Sequence, residues 1–335
     1  MRRAQWVGKD RIRQPGRPHP PWPGREYTVA GVRVFVRRTP ATSADAEPAV
    51  CIHGLGGSSQ NWTDLADRLS DDLSIDAIDL PGFGHSAPST SASIQHFADI
   101  VAGWIVRSGR GPVHLIGNSL GGAVAVYLAA TRPRLVRTLT LISPAMPFRN
   151  PNRSRQSHIV PMLALPGLEI MAGKVFRSRS PDQIVREIVE STWARPDRMH
   201  AQRFQEAVAE ARWRQMTPWT TAAYIHSFRS LMGVFFQTLV PKAATLWRLA
   251  EVITVPTLVI WGNKDRIIDV RQAPRTARAF RDGRLLILSD VGHVAQIEAP
   301  DVVARAIVPL LEPPRHLSPE TETTRTGSGE KASSR

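Results

Sequence analysis

The stretch "LIGNSLGG" (Leu115–Gly122) sets one polar residue, Ser119, between a short apolar run and small, Gly-rich backbone. It contains the pattern Gly117-x-Ser119-x-Gly121, flanked by strand-like "VHLI" (Val113–Ile116) and by the helix-like "LGGAVAVYLAATRP" that begins at Leu120. In a sharp strand-to-helix turn of this kind the serine backbone is strained, and side chains two residues to either side would clash with the bend. Such a turn holds the Ser119 hydroxyl above the sheet. It also points the Leu120 amide, at the start of the helix, toward any negative oxygen that forms. A Gly-rich turn carrying an idle serine reads the same locally, so the decision lies elsewhere in the chain.

A serine hydroxyl is a poor nucleophile until a base takes its proton, and the base needs an acid to fix its tautomer and stabilise the imidazolium. Downstream, "LVIWGNKDRIID" leaves a strand-like run and presents Asp265, and "LLILSDVGHVAQIEAP" leaves the next and presents His293 directly after Gly292. The chain order is therefore Ser119, Asp265, His293. Upstream, "CIHGLGG" (Cys51–Gly57) runs from a strand into a Gly-rich loop, whose Leu55 amide is the expected second oxyanion donor. Asp269 lies four residues past Asp265, where the next helix begins, and N-capping is its expected role. Asp79 and Asp290 are read as loop anchors, His53 as a turn histidine, His85 as a loop hydrogen-bonder and His114 as a core or sheet-edge residue.

Taken together, the His53-Gly54 turn, "DLPGFGHS" (Asp79–Ser86), "GNSLGG", "WGNKD" and "GHVAQIEAP" resemble the serine-nucleophile branch of the α/β-hydrolase family. The resemblance covers about residues 27–144 and 251–312, and it implies acyl transfer to water with no metal or organic cofactor. Relatives that open epoxides or displace halide carry aspartate at the elbow, so Ser119 argues against both activities. Two alternatives to ester hydrolysis stand beside it: carbon-carbon bond hydrolysis of the meta-cleavage type, and a ligand receptor on the same fold with little turnover. Against the first, Val294 follows His293 where those enzymes resemble one another in carrying tryptophan.

Working outward, short β-branched or apolar runs alternate with helical patterns. Tyr27–Arg38 reads as a hairpin, and further strands are expected at Ala49–His53, Ser74–Asp79, Val113–Gly117, Thr138–Ser143, Pro256–Gly262 and Arg284–Asp290. Helices are expected over Trp62–Leu69, Ile94–Val106, Leu120–Thr131 and Val270–Phe280. Strand, helix, strand in succession implies an α/β fold whose mostly parallel sheet has helices on both faces. The rhythm breaks between residues 145 and 250, where only amphipathic helical stretches appear. One is "SPDQIVREIVEST", with Ser180 as N-cap, Pro181 at the first helical position and Gln183 placed to complete a capping box. The expected domains are a basic, Pro-rich arm (1–26), a hydrolase core (27–144 and 251–312), a helical cap (145–250) and a disordered tail (313–335).

The net charge of +14 is unevenly spread over the 335 residues. Residues 1–38 carry ten Lys and Arg against two Asp and Glu, and residues 145–250 carry fifteen against seven. The segments holding Ser119, Asp265 and His293 are near neutral. The basic arm is a candidate for peripheral contact with an anionic membrane surface. No zinc-finger spacing or aromatic RNA-binding motif accompanies the charge, so no nucleic-acid partner is expected. The N-terminus has charge but no apolar segment of signal-peptide type, and no run of 18 apolar residues occurs, which points to a cytoplasmic protein. The lone Cys51 sits inside "AVCIHG" and reads as a packed thiol. The cap segment holds six of the seven methionines and four of the nine tryptophans. These residues suit either an apolar acyl pocket, and hence a small hydrophobic ester, or the cap's own packing against the core.

Overall fold

A computed structural model describes residues 1–14, 16, 18–147, 167–237 and 245–311. The expected tail, 313–335, lies outside the described residues, as does part of the expected cap. Among the described residues nine strands form one sheet: β1 (Arg2–Arg3), β2 (Gly24–Val29), β3 (Val32–Arg38), β4 (Glu47–Ile52), β5 (Leu73–Ile78), β6 (Val113–Asn118), β7 (Val136–Ile142), β8 (Thr257–Gly262) and β9 (Gly283–Leu288). Their order is β1-β9-β8-β7-β6-β4-β5-β3-β2. All neighbours pair in parallel except the hairpin β2/β3 and its junction with β5. The helices that flank the sheet are α1 (Thr63–Arg68), α2 (Ile94–Ser108) and α3 (Leu120–Thr131). An inserted group follows: α4 (Leu168–Ser178), α5 (Pro181–Thr192), α6 (Ala201–Met216) and α7 (Thr220–Gln237). After it come α8 (Leu246–Val252), α9 (Ala273–Arg278), α10 (Ala295–Glu298) and α11 (Pro300–Leu311).

The central strands read as continuous apolar runs because both faces are covered. All six residues of β6 and of β8 are buried. Side chains alternate between two cores, as a period of two requires. Val50, Ile52, Leu115, Leu141, Val259 and Trp261 face α2, α3 and α8. Ala49, Cys51, Ile116, Ile142, Leu258 and Ile260 face α1, α10 and α11. Local signals set the helix ends: the Ser93 hydroxyl accepts from the His96 amide at the start of α2, and Gly109 ends that helix at φ 65°.

From β4 the chain crosses by α1 to β5 on one side and then by α2 to β6 on the other. The sheet order therefore reverses between β4 and β6, and the loops leaving their carboxyl ends flank one crevice. Those loops are His53–Gly57 and the Ser119 turn.

Among the described residues the cap holds two helix pairs. Ile184, Val185, Val189 and Trp193 pack with Val208 and Ala211 between α5 and α6. Leu168 packs with Ile225 and Phe228 between α4 and α7. The helix α8 falls inside the expected cap range but lies on the core against α3, with Leu246 and Ala250 buried there.

The N-terminal arm is packed along the core. Arg2 and Arg3 add a short parallel edge to β9, and the Val7 amide donates to the Arg305 carbonyl at 3.1 Å. Ile12 is buried in the second core, and the Trp22 indole donates to the Thr63 carbonyl at 3.2 Å. Apolar residues spaced along a polar segment let the arm lie down on the core. The prolines, which remove donors, keep its path extended.

Candidate active site

Ser119 sits at φ 53°, ψ −116°, a left-handed conformation that costs an L-residue about 1–3 kcal/mol. The surroundings hold it there. Its amide donates to the Ile142 carbonyl at 3.0 Å, and its carbonyl accepts from the amides of Ala123 at 3.1 Å and Ala145 at 2.9 Å. The flanking glycines are required by space. A Cβ on Gly121 would lie 2.2 Å from the Ile52 carbonyl oxygen and 2.5 Å from that of His53; one on Gly117 would lie 2.5 Å from the Gly121 oxygen. From Val113 to Val126 every residue is buried except Ser119, which alone is partly exposed.

Asp265 and His293, expected to pair, do so: the imidazole Nδ1 donates to Asp265 Oδ2 at 2.8 Å. The other carboxylate oxygen accepts from the amides of Ile267 at 2.8 Å and Ile268 at 2.9 Å, with the aspartate side chain fully buried. An acceptor-only carboxylate on Nδ1 fixes the tautomer and leaves Nε2 as the basic nitrogen of the neutral ring. The two loops touch closely: a Cβ on Gly262 would fall 2.2 Å from the carbonyl oxygens of Val291 and Gly292. Asn118, which sequence reasoning passed over, joins the elbow to this pair. Its side-chain amide donates to the carbonyls of Ile142 at 3.0 Å and His293 at 3.2 Å.

The Leu55 loop passes directly over the serine. A Cβ on Gly54 would lie 3.1 Å from that of Ser119, and the Gly57 amide closes the turn onto the Gly54 carbonyl at 2.9 Å. Leu120 opens the twelve-residue α3, so its amide belongs to the first turn, whose N–H groups have no acceptor within the helix. Leu120 follows Ser119 and Leu55 follows Gly54, so the two residues lie in backbone segments that meet at the serine. The cap covers this loop: the Tyr224 ring stands 3.1 Å from where a Cβ on Gly56 would be, and Leu55 packs against the cluster of Leu168, Ile225 and Phe228.

The remaining residues take anchoring roles. Burial pulls the fully enclosed His53 down to about 4; its Nδ1–H donates to the Gly54 carbonyl at 2.7 Å, and its Nε2 accepts from the Leu80 amide at 3.0 Å. Asp79 is buried and accepts from the amides of Ser59 at 2.5 Å and His85 at 2.8 Å; burial raises its carboxyl above the usual range. The His85 ring packs between Phe35 and the cap's Trp213. His114 is buried between Thr138 and Glu47. Asp269 caps its turn by accepting from the Arg271 amide at 3.0 Å, and Asp290 pairs with Arg195 and Arg198 of the cap. Cys51 is fully buried, which pushes its thiol well above the ordinary value. Among the described residues no group of three or more His, Cys, Asp or Glu is placed to hold a metal ion.

With this geometry established, comparison with known proteins is direct: a family model described as the alpha/beta hydrolase fold matches residues 48–300. The chain belongs to the α/β-hydrolase family. Its curated relatives differ in chemistry. It is 28% identical over 271 residues to a dihydrolipoyllysine-residue acetyltransferase component of an acetoin cleaving system from Cupriavidus necator, covering 81% of this chain and 64% of the relative. The chain thus spans somewhat less than two thirds of that relative's length. It is 25% identical to a 2-hydroxy-6-oxononadienedioate/2-hydroxy-6-oxononatrienedioate hydrolase from a Pseudomonas species, covering 79% of this chain and 88% of that one. Against lipase 3 of a Moraxella strain the identity is 24%, covering 76% and 73%. An α/β-hydrolase fold accordingly carries Ser119, Asp265 and His293 in this chain.

Proposed function

We propose that the protein is a serine hydrolase that cleaves a hydrophobic carboxylic ester through an acyl-enzyme on Ser119. The observation that carries this reading is the strained, partly exposed Ser119, whose neighbour Asn118 is bonded to the backbone of His293, the imidazole whose Nδ1 is held by Asp265. In the first half-reaction Ser119 Oγ attacks the carbonyl carbon while His293 Nε2 takes its proton. The oxyanion is met by the Leu55 and Leu120 amides. His293 then returns the proton to the departing alcohol as the carbon-oxygen bond breaks. Water, deprotonated by His293, repeats the sequence and releases the acid.

The apolar cluster of Leu168, Ile225 and Phe228, against which Leu55 packs, supports an apolar acyl group. The lipase relative supports ester cleavage. The dienedioate hydrolase relative favours a second reading, carbon-carbon bond hydrolysis at the same serine. The test is fluorophosphonate labelling with Ser119→Ala as control, followed by a chain-length series of aryl esters. Absence of labelling refutes the serine mechanism; labelling without ester turnover moves the assignment to carbon-carbon cleavage.

A companion proposal concerns the arm, where Arg2, Arg3, Lys9 and Arg11 are exposed on a segment packed against the core. Contact with an anionic membrane through these cations is tested by vesicle binding of charge-reversed variants, since deletion would uncover the core; unchanged binding refutes it. No helix among the described residues is long and apolar enough to cross a membrane.

A further inference from the structure

Glu298 ends α10, five residues beyond His293, and its carboxylate joins two parts of the molecule. One oxygen accepts from the Gly292 amide at 2.6 Å, beside the histidine. The other accepts from the amides of Ala194 at 3.0 Å and Arg195 at 2.9 Å, in the cap just past α5. The two segments also meet directly. The His293 amide donates to the Thr192 carbonyl at 2.7 Å, and a Cβ on Gly292 would lie 2.2 Å from that oxygen and 2.8 Å from the Ala194 nitrogen. The cap backbone is therefore bonded to the main chain of the histidine itself.

We propose that Glu298 is a positioning residue for His293. Its carboxylate clamps the histidine loop to the end of α5, holding the imidazole at Ser119 and registering the α5–α6 half of the cap to the reacting centre. This inference rests on the serine-hydrolase reading above. The chemistry of the side chain suits such a clamp, because a carboxylate offers acceptors on both oxygens and no donor, and here three N–H groups converge on it. Glutamine has the same shape, but its NH2 would face at least one of those N–H groups. Glu298→Gln consequently separates acceptor chemistry from mere filling of space.

A second tie between cap and core serves as the control. Arg203 of α6 donates to both carboxylate oxygens of Asp64 in α1, at 2.7 and 2.9 Å.

The experiment compares full-length wild type, Glu298→Gln, Glu298→Asp and Arg203→Met. It reads the rate constant of fluorophosphonate labelling per labelled site, with kcat and KM on a short aryl ester. A displacement of about 1 Å at a catalytic group costs on the order of 100-fold, so Glu298→Gln is expected to lower the labelling rate constant and kcat by about 10- to 100-fold. KM is expected to stay near the wild-type value, and Arg203→Met to leave kcat unchanged. Because the rate is read per labelled site, partial unfolding changes its amplitude and not its value. Should Glu298→Gln fail to fold, Glu298→Asp, which keeps both oxygens one methylene short, carries the same comparison. Wild-type rates in the folded variant, or an equal fall in Arg203→Met, overturn the proposal. Failure of the wild type to label overturns the serine mechanism instead.

Discussion

The side chain of Asn118 and the backbone of His293, 175 residues apart in the chain, are joined by a buried hydrogen bond of 3.2 Å. Because Asn118 immediately precedes Ser119 and also donates to the Ile142 carbonyl, it ties the elbow, β7 and the histidine loop together.

Asn118→Ala is expected to leave the His293 carbonyl without this donor, a buried loss worth about 1–3 kcal/mol. The measurable result is a lowered thermal midpoint together with a fall in kcat. A variant with wild-type kcat would show that the histidine loop is held by other contacts.

Substitutions of Ser119 and Asp265 are expected to act chiefly on turnover. Ser119→Ala should abolish labelling. Asp265→Asn, which presents a donor or a weaker acceptor to Nδ1 and unsettles the tautomer, should lower kcat by about 10⁴-fold. Steady-state kinetics and thermal unfolding on the same preparations separate the two effects.

The backbone of Ser119 gives a stability test independent of any substrate. Glycine adopts φ 53° without strain, whereas alanine does not. Ser119→Gly should therefore unfold at a higher temperature than Ser119→Ala, both being inactive. Gly121→Ala should behave in the opposite way, since its methyl group would meet the Ile52 carbonyl at 2.2 Å. It is expected to fold poorly or not at all, checked by soluble yield and circular dichroism.

His53 makes the fold sensitive to acid. Its value falls from the ordinary 6.5 to about 4 because burial disfavours the charged ring. The unfolded chain thus binds a proton in this interval that the folded chain refuses. Stability from this group is complete above pH 6.5 and is lost as pH falls toward 4, by up to about 3 kcal/mol. Thermal midpoints across that range should fall in the wild type. They should vary less in His53→Asn, which is expected to be less stable at pH 7.

Much of the site was legible because its requirements are local. Gly117, Ser119 and Gly121 fall in one turn between a strand and a helix, and Asp265 and His293 each leave an apolar run directly. The roles of Asp269 and Cys51 followed in the same way, from a helix start and a strand interior. Asn118, Glu298 and the Thr192 carbonyl were not legible, since each acts on backbone groups far away in the chain and a hydrogen-bond partner of that kind leaves no periodic trace. The signal nearest to Glu298 is an acidic residue shortly after the histidine, a feature that ordinary surface helices share.

By itself the sequence determined the alternation of strands and helices, the interruption by a helical cap and the order Ser119, Asp265, His293, because hydrophobic period and turn chemistry are written in neighbouring residues. Only the tertiary structure decided that the arm lies along the core and that α8 belongs beneath α3. It also decided that the cap's α5 is bonded to the histidine loop through Glu298. Those outcomes depend on which buried surfaces and unpaired amides meet once the sheet has formed, and residues distant in the chain settle that jointly.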